Sequence, residues 1–382
     1  MDTKRCRAYL VSLVAVCFLL LNIVSVTCPR SFVKAETTKS SITMHFVDVG
    51  QGDACFIELS DGRTALIDAG SRTNSEKLVR YINNLNYKKI DLMIITHADS
   101  DHCGGAATVL ENFAVDYVFR PFTLAVTNAF SDDIKHSGVS LSEMQLCDNE
   151  DYIEFISLAY QNSKKVFTIS SKLMDTVLFS SYYSFRFMYP FGIEGTHFDT
   201  GKTEGYKINY ASDTNEISAV TSLCYYDAAA LYMGDADQKA EAEILERAKN
   251  DTVYDIILKS TKVLKVAHHG SKTGTGSEFL SYINPSHALI SCGKDNSYGH
   301  PESAVLARLN SVCGAENVYV TSEVGGVIFK LTAGGEVKVM LATKSPVRVS
   351  AVFLCICTVC VGLVILTIIL ITKHKNEEER SG

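Results

Sequence analysis

The sequence predicts an α/β domain flanked by two terminal hydrophobic helices. Three observations lead to this prediction: strand-like and helix-like segments alternate over residues 41–343, two uncharged apolar segments lie near the chain ends, and histidines and aspartates follow the ends of several apolar strands. The 382 residues could form two average domains or one large α/β unit of about 200 to 300 residues. The continuous alternation favours one domain.

The first apolar segment covers Ala8–Thr27 and follows three basic residues within the first seven positions. A charged start before an uncharged run is typical of an export signal. Residues 1–35 are therefore predicted to be a cleaved signal peptide or an N-terminal signal anchor. The sequence leaves these two alternatives open.

The second apolar segment, Ser350–Thr372, carries no charge and is long enough to cross a bilayer core of about 30 Å. Basic residues follow it within 373–382, and such residues usually stay on the cytoplasmic side. We expect residues 350–372 to form a transmembrane helix and 373–382 a cytoplasmic tail. The domain before them would then be membrane-anchored and extracytoplasmic.

The charge of the exported part argues against a general attraction to polyanions. Between Pro29 and Pro346 there are 29 basic and 39 acidic residues, a balance of −10. A phosphate-bearing substrate would therefore have to be held locally. Six of the twelve cysteines lie in this part without a CxxC pair, and the sequence does not select a disulfide pairing among them.

Secondary structure alternates from the start of the predicted domain at residue 41. "ITMHFVDVG" and "ACFIEL" predict a strand pair around the turn "GQGD", and "NSEKLVRYINNLN" predicts a helix before the strand "KIDLMIITH". The alternation of strand-like and helix-like segments weakens over about 123–207, where we expect an irregular insertion. It returns with "ISAVTSLCYYDAAALYMGDAD", and "NVYVTSEVGGVIFKLTAGGEVKVM" predicts a closing hairpin.

One short segment concentrates side chains that can bind a metal. The apolar strand in "LMIITHADSDH" ends at Thr96 and is followed by four such residues, namely His97, Asp99, Asp101 and His102. Carboxylates this close repel one another, so ordinary packing gives no reason to collect them. Imidazole and carboxylate ligands suit a divalent cation such as Zn²⁺ or Mn²⁺.

Two further apolar strands release similar side chains at their ends. "AAALYMGD" ends in Asp235, and "VLKVAHHGS" ends in His268 and His269. In an α/β fold the carboxyl ends of parallel strands meet at one edge. These residues are therefore predicted to meet the first group around a common metal site.

Six motifs resemble the metallo-β-lactamase superfamily, in particular the hydrolase domain of ComEC-type competence proteins. In order they are "HFVDVGQGDACFIE", "ALIDAG", "THADSDHCGG", "YMGDAD", "LKVAHHGSKTGT" and "CGKDNSYGHP". The resemblance covers most of residues 42–340 and is weakest over about 123–207. It implies a four-layer αβ/βα metallo-β-lactamase sandwich with one or two divalent ions, Zn²⁺ being favoured over Mn²⁺.

The resemblance also implies ligand roles. His97 and Asp99 would bind one metal, Asp101 and His102 the other, and Asp235 would bridge them. Of the histidine pair, His268 is favoured as a ligand because it precedes Gly270 as in related "H-x-G" motifs, with His269 as the alternative.

Further roles concern residues around the metals. Asp68 would orient a ligand histidine by accepting its second N–H. Asp101 or Asp235 would orient the attacking water, and His300 would contact substrate or protonate a leaving group. Asp99 stands where the superfamily usually has a histidine, and a third ligand for the first metal is not evident, since His136 and His197 lie in the irregular stretch.

The functional prediction is an exported, membrane-tethered, metal-dependent hydrolase acting through metal-activated water. The resemblance favours a phosphodiester, either DNA or a smaller phosphorylated compound, although no aromatic stacking platform for nucleic acid is evident in the sequence. A Ser-His-Asp hydrolase is disfavoured because no G-x-S-x-G motif occurs. The remaining alternative is a non-catalytic, metal-binding sensor or binding ectodomain on the same fold.

Overall fold

The computed structural model describes residues 41–121, 123–125, 145–169, 178–190 and 214–342. The predicted signal segment 1–35, the apolar segment 350–372 and the tail 373–382 lie outside these ranges, as do His136 and His197. In the ranges described, no helix combines the length and apolarity needed to cross a bilayer.

The first sheet contains eight strands. In chain order they are β1 (Ser41–Phe46), β2 (Cys55–Glu58), β3 (Thr64–Ile67), β4 (Lys89–Ile94), β5 (Ala114–Arg120), β8 (Ser163–Thr168), β16 (Gly326–Thr332) and β17 (Val337–Ala342). Their spatial order is β17-β16-β1-β2-β3-β4-β5-β8. Pairing is antiparallel from β17 to β3 and parallel from β3 to β8.

The second sheet contains seven strands. They are β9 (Leu178–Phe179), β10 (Tyr183–Tyr189), β11 (Val220–Tyr225), β12 (Ala228–Tyr232), β13 (Thr261–Lys265), β14 (His287–Ile290) and β15 (Val318–Val320). The spatial order is β15-β14-β13-β12-β11-β10-β9, parallel from β15 to β12 and antiparallel beyond. Two short strands, β6 (Thr123–Ala125) and β7 (Gln145–Cys147), pair separately.

Nine α-helices connect these strands within the described residues. They are α1 (Ser75–Asn84), α2 (Ser100–Cys103), α3 (Ala106–Asn112), α4 (Glu150–Asn162), α5 (Gln238–Asn250), α6 (Thr252–Lys259), α7 (Ser277–Ile283), α8 (Ser303–Cys313) and α9 (Thr321–Val324). Side-chain hydrogen bonds determine where several of these helices begin. The Asp237 carboxylate, for example, accepts hydrogen bonds from the first N–H groups of α5, as an N-cap does.

Three buried clusters define the layers. One cluster joins the first sheet to α1, α3 and α4, a second fills the space between the sheets, and a third joins the second sheet to α5–α8. Alternation along β3 produces this division, because Leu66 faces the helices while Ala65 and Ile67 face the other sheet. The predicted α/β fold with sheets flanked by helices is therefore confirmed.

Two expectations differ from the structure in detail. Where residues 123–207 are described, they are regular: α4 buries Tyr152, Phe155, Ile156 and Ala159, which lie on one helical face, and β8 and β10 extend the two sheets. The expected closing hairpin is confined to β16 and β17. The preceding "VYV" forms β15 in the opposite sheet, because α9 carries the chain across between them.

One edge of the sheets collects the carboxyl ends of the parallel strands β3, β4, β12, β13 and β14. In an α/β fold this is the edge at which ligands bind. The last described strand, β17, also ends there, since Ala342 pairs with Gly326 and Phe46 pairs with the adjacent Val327.

A buried carboxylate supports the loop that follows β13. Glu241 on α5 accepts backbone hydrogen bonds from Thr275 and, at 2.8 Å, from Gly276, and the Thr275 hydroxyl accepts one from the Ala267 N–H at 3.2 Å. Burial raises the pKa of Glu241 from 4.5 to about 7, although the two backbone donors oppose the shift.

We expect this raised pKa to make stability depend on pH. The folded state holds the Glu241 proton more tightly than the unfolded chain, so the resulting stability is complete below about pH 4.5 and is lost as pH rises towards 7. Urea unfolding should show the stability of the wild type relative to Glu241→Gln falling by about 2 kcal/mol between about pH 5 and 7.5. Parallel pH profiles for the two proteins would contradict this assignment.

Candidate metal centre

Strand ends position the candidate residues. Asp68 follows β3, and His97 and Asp99 follow β4, while Asp101 and His102 lie in α2. From the second sheet, Asp235 follows β12 and the histidine pair follows β13. The shared edge therefore brings together side chains from both halves of the chain.

Two imidazoles and two carboxylates converge at the centre of this edge. His102 Nε2 lies 3.1 Å from Asp235 Oδ1 and 3.3 Å from His269 Nε2. His269 Nε2 lies 3.4 Å from Asp235 Oδ2 and 3.1 Å from Asp101 Oδ2. Ligand atoms that each lie about 2.0 to 2.2 Å from one zinc ion are separated from one another by distances close to those observed in this cluster.

The second nitrogen of each imidazole is already used. His102 Nδ1 donates to Asp68 Oδ2 at 2.8 Å, and His269 Nδ1 donates to the Ser291 carbonyl at 2.8 Å. With the proton on Nδ1, the Nε2 lone pair of the neutral ring points into the cluster, as in metal-binding histidines. Asp68 thus contacts His102 through the nitrogen that faces away from the cluster.

His97 is held in the same tautomer through Thr96. The Thr96 hydroxyl donates to Asp68 at 2.9 Å and therefore accepts from His97 Nδ1 at 3.0 Å. His97 Nε2 is buried without a hydrogen-bond partner among the described residues. It lies 3.9 Å from Asp235 and 3.7 Å from Asp99, whose side chain is 44% exposed.

The two adjacent histidines face different surroundings. Both have left-handed backbones, with φ of 46° at His268 and 54° at His269, which non-glycine residues adopt at a cost and often at functional sites. This turn buries His269 in the cluster. His268 is 27% exposed, lies 3.7 Å from Asp235 and contacts the Thr273 hydroxyl at 3.1 Å. The geometry favours His269 as the ligand, whereas the sequence motif favoured His268, because spacing could not indicate the backbone turn.

Sequence reasoning missed a buried ion pair behind the histidines. Asp53 pairs with Lys265 Nζ, and both side chains are less than a tenth exposed. Asp53 also lies 3.4 Å from His269 Nδ1 and 3.8 Å from His102 Nδ1. A lysine inside the apolar run "VLKVA" was the available signal, since a fully buried lysine needs a partner.

The second glycine of the "GQGD" turn, Gly52, allows Asp53 to reach this position. Gly52 has φ of 124°, and a Cβ atom there would lie 2.1 Å from the Asp101 carbonyl oxygen. The Asp53 N–H donates to that same oxygen at 3.1 Å. The turn therefore packs directly beneath the metal-binding segment.

The electrostatics of the cluster show an excess of negative charge. Burial alone would raise the pKa of Asp235, but His102 and His269 lower it well below its usual range. Burial would likewise lower the pKa values of His102 and His269, but the surrounding carboxylates, Asp235 first, raise both strongly. The pKa of His97 is lowered by burial and by His102. The site thus stabilises positive charge at its centre.

These residues fit a divalent cation. Asp53, His102, Asp235 and His269 offer ligand atoms within 4.8 Å of one another, and Asp101 adds an oxygen beside His269. His97 Nε2 and Asp235 Oδ1 are buried without hydrogen-bond partners among the described residues, as unfilled ligand atoms would be. Lys265 already neutralises Asp53. The four residues best placed to bind a cation directly are therefore Asp101, His102, Asp235 and His269.

His300 lies on the rim of this cluster. Its ring is 5.7 Å from that of His268 between centroids, and its Nδ1 is buried without a hydrogen-bond partner in the described ranges. Burial and the neighbouring His268 lower its pKa. It can therefore offer a neutral imidazole to a bound molecule.

Comparison with known proteins agrees with this site. Residues 47–122, which include Asp53, Asp68 and the segment from His97 to His102, match the family model of the metallo-beta-lactamase superfamily. This part of the chain is therefore similar to that superfamily. The metallo-β-lactamase fold binds divalent metals, which agrees with the possible metal site among the described residues.

Similar proteins with curated descriptions are ComEC-type competence proteins. ComE operon protein 3 of Bacillus subtilis is 26% identical over 69% of this chain and 30% of its own length. Recombination protein 2 of Haemophilus influenzae is 26% identical over 76% of this chain and 29% of its own length. The chain therefore spans about 30% of the length of these relatives.

Solved structures that align with this chain are more distant in sequence. A metal-dependent hydrolase of the β-lactamase superfamily aligns with a TM-score of 0.41 and 11% identity, over 73% of this chain and 94% of its own. A diphosphatase from the PhnP family gives 0.37 and 10%, over 74% and 94%.

We expect the buried Asp53–Lys265 pair to be essential for folding stability. Asp53→Ala should destabilise the domain by about 3 to 5 kcal/mol because it leaves a buried ammonium unpaired. Asp48→Ala, which breaks the exposed pair with Lys77, is the matched control and should cost about 1 kcal/mol or less. Urea unfolding measures both.

The double variant Asp53→Leu/Lys265→Met separates charge from packing. Replacing both members of a buried pair by apolar groups is often close to neutral, so this variant should recover most of the stability lost in Asp53→Ala. A double variant as unstable as Asp53→Ala would contradict the charge explanation.

We expect His269 to contribute more to metal affinity than His268. Asp68→Asn should weaken Zn²⁺ binding by roughly 10- to 100-fold, as loss of an orienting partner does, and His269→Ala should weaken it further. His268→Ala should change it by less than about tenfold on the same scale. Competition with a chromophoric chelator measures all three, and the reverse order of the two histidines would return the ligand role to His268.

Proposed function

We propose that this chain is a metal-dependent hydrolase of phosphodiester bonds. The observation that carries the proposal is the convergence of His102, His269, Asp101 and Asp235 at the sheet edge, where His102 contacts Asp235 and His269 contacts both carboxylates at 3.1 to 3.4 Å. Zn²⁺ is the favoured cation and Mn²⁺ the alternative, because two imidazoles and two carboxylates suit both.

The charge of the site implies that bound cations are needed to hold an anionic substrate. Five carboxylates surround the site, namely Asp53, Asp68, Asp99, Asp101 and Asp235. Lys265 pairs with one of these, Asp53. Without additional positive charge, this cluster would repel a phosphodiester. One or two divalent ions would reverse that repulsion.

In this proposal, different residues would orient the attacking water and the ligand histidines. A divalent cation in this site would supply Lewis acidity and lower the pKa of a water molecule. Asp101 and Asp235 accept hydrogen bonds and would orient the attacking water. Asp68 holds His102 directly, and His97 through Thr96, in the tautomers that expose Nε2.

His300 would contact the other side of the substrate. Its ring lies against His268, and its buried Nδ1 lacks a hydrogen-bond partner among the described residues. A hydrogen bond from this imidazole to a phosphoryl or leaving-group oxygen would use that nitrogen. The earlier expectation that His300 contacts substrate is retained in this form.

The hydrolase is proposed to act outside the cytoplasm, tethered by residues 350–372. Support comes from the uncharged segments and the basic residues that flank them. Protease added to intact cells should then cleave the domain. A domain protected until the membrane is broken would contradict this location.

We expect hydrolysis to require metal and Asp235. The full chain in detergent, stripped with chelator and reloaded with Zn²⁺ or Mn²⁺, should release p-nitrophenol from bis(p-nitrophenyl) phosphate. Asp235→Ala should lower kcat by at least about 100-fold, because metal-ion catalysis contributes several kcal/mol. Asp237→Ala, a nearby carboxylate that caps α5, is the control and should retain activity.

Two outcomes would oppose the proposal. Turnover that survives chelation and Asp235→Ala would exclude this site as its source. Hydrolysis of a chromogenic β-lactam without any phosphodiester cleavage would assign acyl chemistry instead.

A sensor or binding ectodomain is the second candidate. It is favoured by the environment of His97, whose Nε2 lies 3.7 Å from Asp99 and 3.9 Å from Asp235, farther than the contacts among His102, His269, Asp101 and Asp235. Such a site could hold one ion rather than two. Metal analysis with one tightly held equivalent and no turnover would select this alternative.

A further inference from the structure

Four aromatic rings lead from the carboxylate cluster to the surface. Centroids of His269 and His268 are 6.0 Å apart, those of His268 and His300 are 5.7 Å apart, and those of His300 and Tyr298 are 5.9 Å apart. The last pair is nearly parallel, with an interplanar angle of 15°. A continuous series of rings therefore begins at His269, beside Asp235, and ends at Tyr298.

Tyr298 is the most exposed large apolar side chain of the described residues, at 67%. Folding gains little from an aromatic ring left in water, so packing does not account for this tyrosine. One face of its ring is aligned with His300, and most of its remaining surface is open to solvent. The open surface can accept another flat ring by offset stacking.

The loop that carries this platform is braced by one side chain. Asn296 Nδ2 donates to the carbonyls of Gly293 and His300 at 2.9 and 2.6 Å. Asn296 Oδ1 accepts from the backbone N–H groups of Tyr298 and His300 at 3.2 and 3.0 Å. The backbone that carries Tyr298 is thus held in place before a ligand arrives, which reduces the entropy cost of binding.

The flanking loops carry two exposed lysines. Lys272 follows the histidine pair, and Lys294 lies two residues before Asn296, next to the exposed Asp295. These lysines can attract a phosphate backbone locally, although the exported part as a whole is acidic.

We propose that Tyr298 and His300 form a stacking subsite for the base of a nucleotide next to the scissile phosphodiester. The proposal rests on the proposed hydrolase function and names its substrate class as a nucleoside phosphodiester with an unpaired base. A base in a duplex is already stacked on both faces, so the open ring of Tyr298 selects single-stranded or small nucleotide substrates.

Matched esters test this subsite. The p-nitrophenyl ester of thymidine 5′-monophosphate and methyl p-nitrophenyl phosphate share a leaving group but differ in the nucleoside. For the metal-loaded full chain, Tyr298→Ala should lower kcat/KM for the thymidine ester roughly 5- to 100-fold through KM. The methyl ester should be unaffected.

Two further substitutions separate stacking from simple apolar contact. Tyr298→Phe keeps the ring and should behave as the wild type, whereas Tyr298→Leu keeps apolar surface and should resemble Tyr298→Ala. Equal effects on both esters, or no effect on either, would overturn the subsite while leaving the hydrolase intact. Absence of turnover on both esters in the wild type would instead count against the hydrolase.

A photochemical measurement tests the subsite without turnover. An oligothymidylate carrying 5-iodouracil, irradiated with the full chain, should crosslink to the peptide that contains Tyr298. Excess unlabelled single strand should compete, and duplex should not. Crosslinks confined to other peptides, or no crosslinks, would overturn the proposal.

Discussion

The structure depends on balancing the negative charge that two sheets bring to one edge. Asp235 is buried against His102 and His269, and Asp53 is buried against Lys265 directly behind them. Each buried carboxylate would be costly alone. Their positions are tolerable because every one has an imidazole, an ammonium or backbone donors beside it, and because the geometry leaves room for a cation.

This constraint couples the two halves of the fold. The first sheet supplies Asp68 and His102, while the second supplies Asp235 and His269. The Ser291 hydroxyl donates to the Gly52 carbonyl at 2.7 Å across 239 residues of sequence. The cluster therefore forms only when both sheets have packed, so site formation and completion of the core are parts of one folding event. Long-range contacts of this kind slow folding.

The sequence predicted features that depend on local pattern. Alternating apolar residues identified the strands, and the residues at their ends identified most of the cluster. The distinction between His268 and His269 could not be predicted, because it depends on two successive left-handed residues. The Asp53–Lys265 pair and the Tyr298 platform depend on contacts between distant segments or on loop conformation. Helix α4 was missed because its apolar face is short and lies within a stretch of weak rhythm.

The end of β17 has a consequence for the orientation of the molecule. Ala342 leaves the first sheet at the edge that carries the cluster, and the apolar segment begins at Ser350. Seven intervening residues span at most about 25 Å when extended. A domain anchored by that segment, as proposed, would hold its metal-binding edge close to the lipid headgroups. The proposed substrates would then be molecules confined to, or threading through, the narrow layer of water above the bilayer.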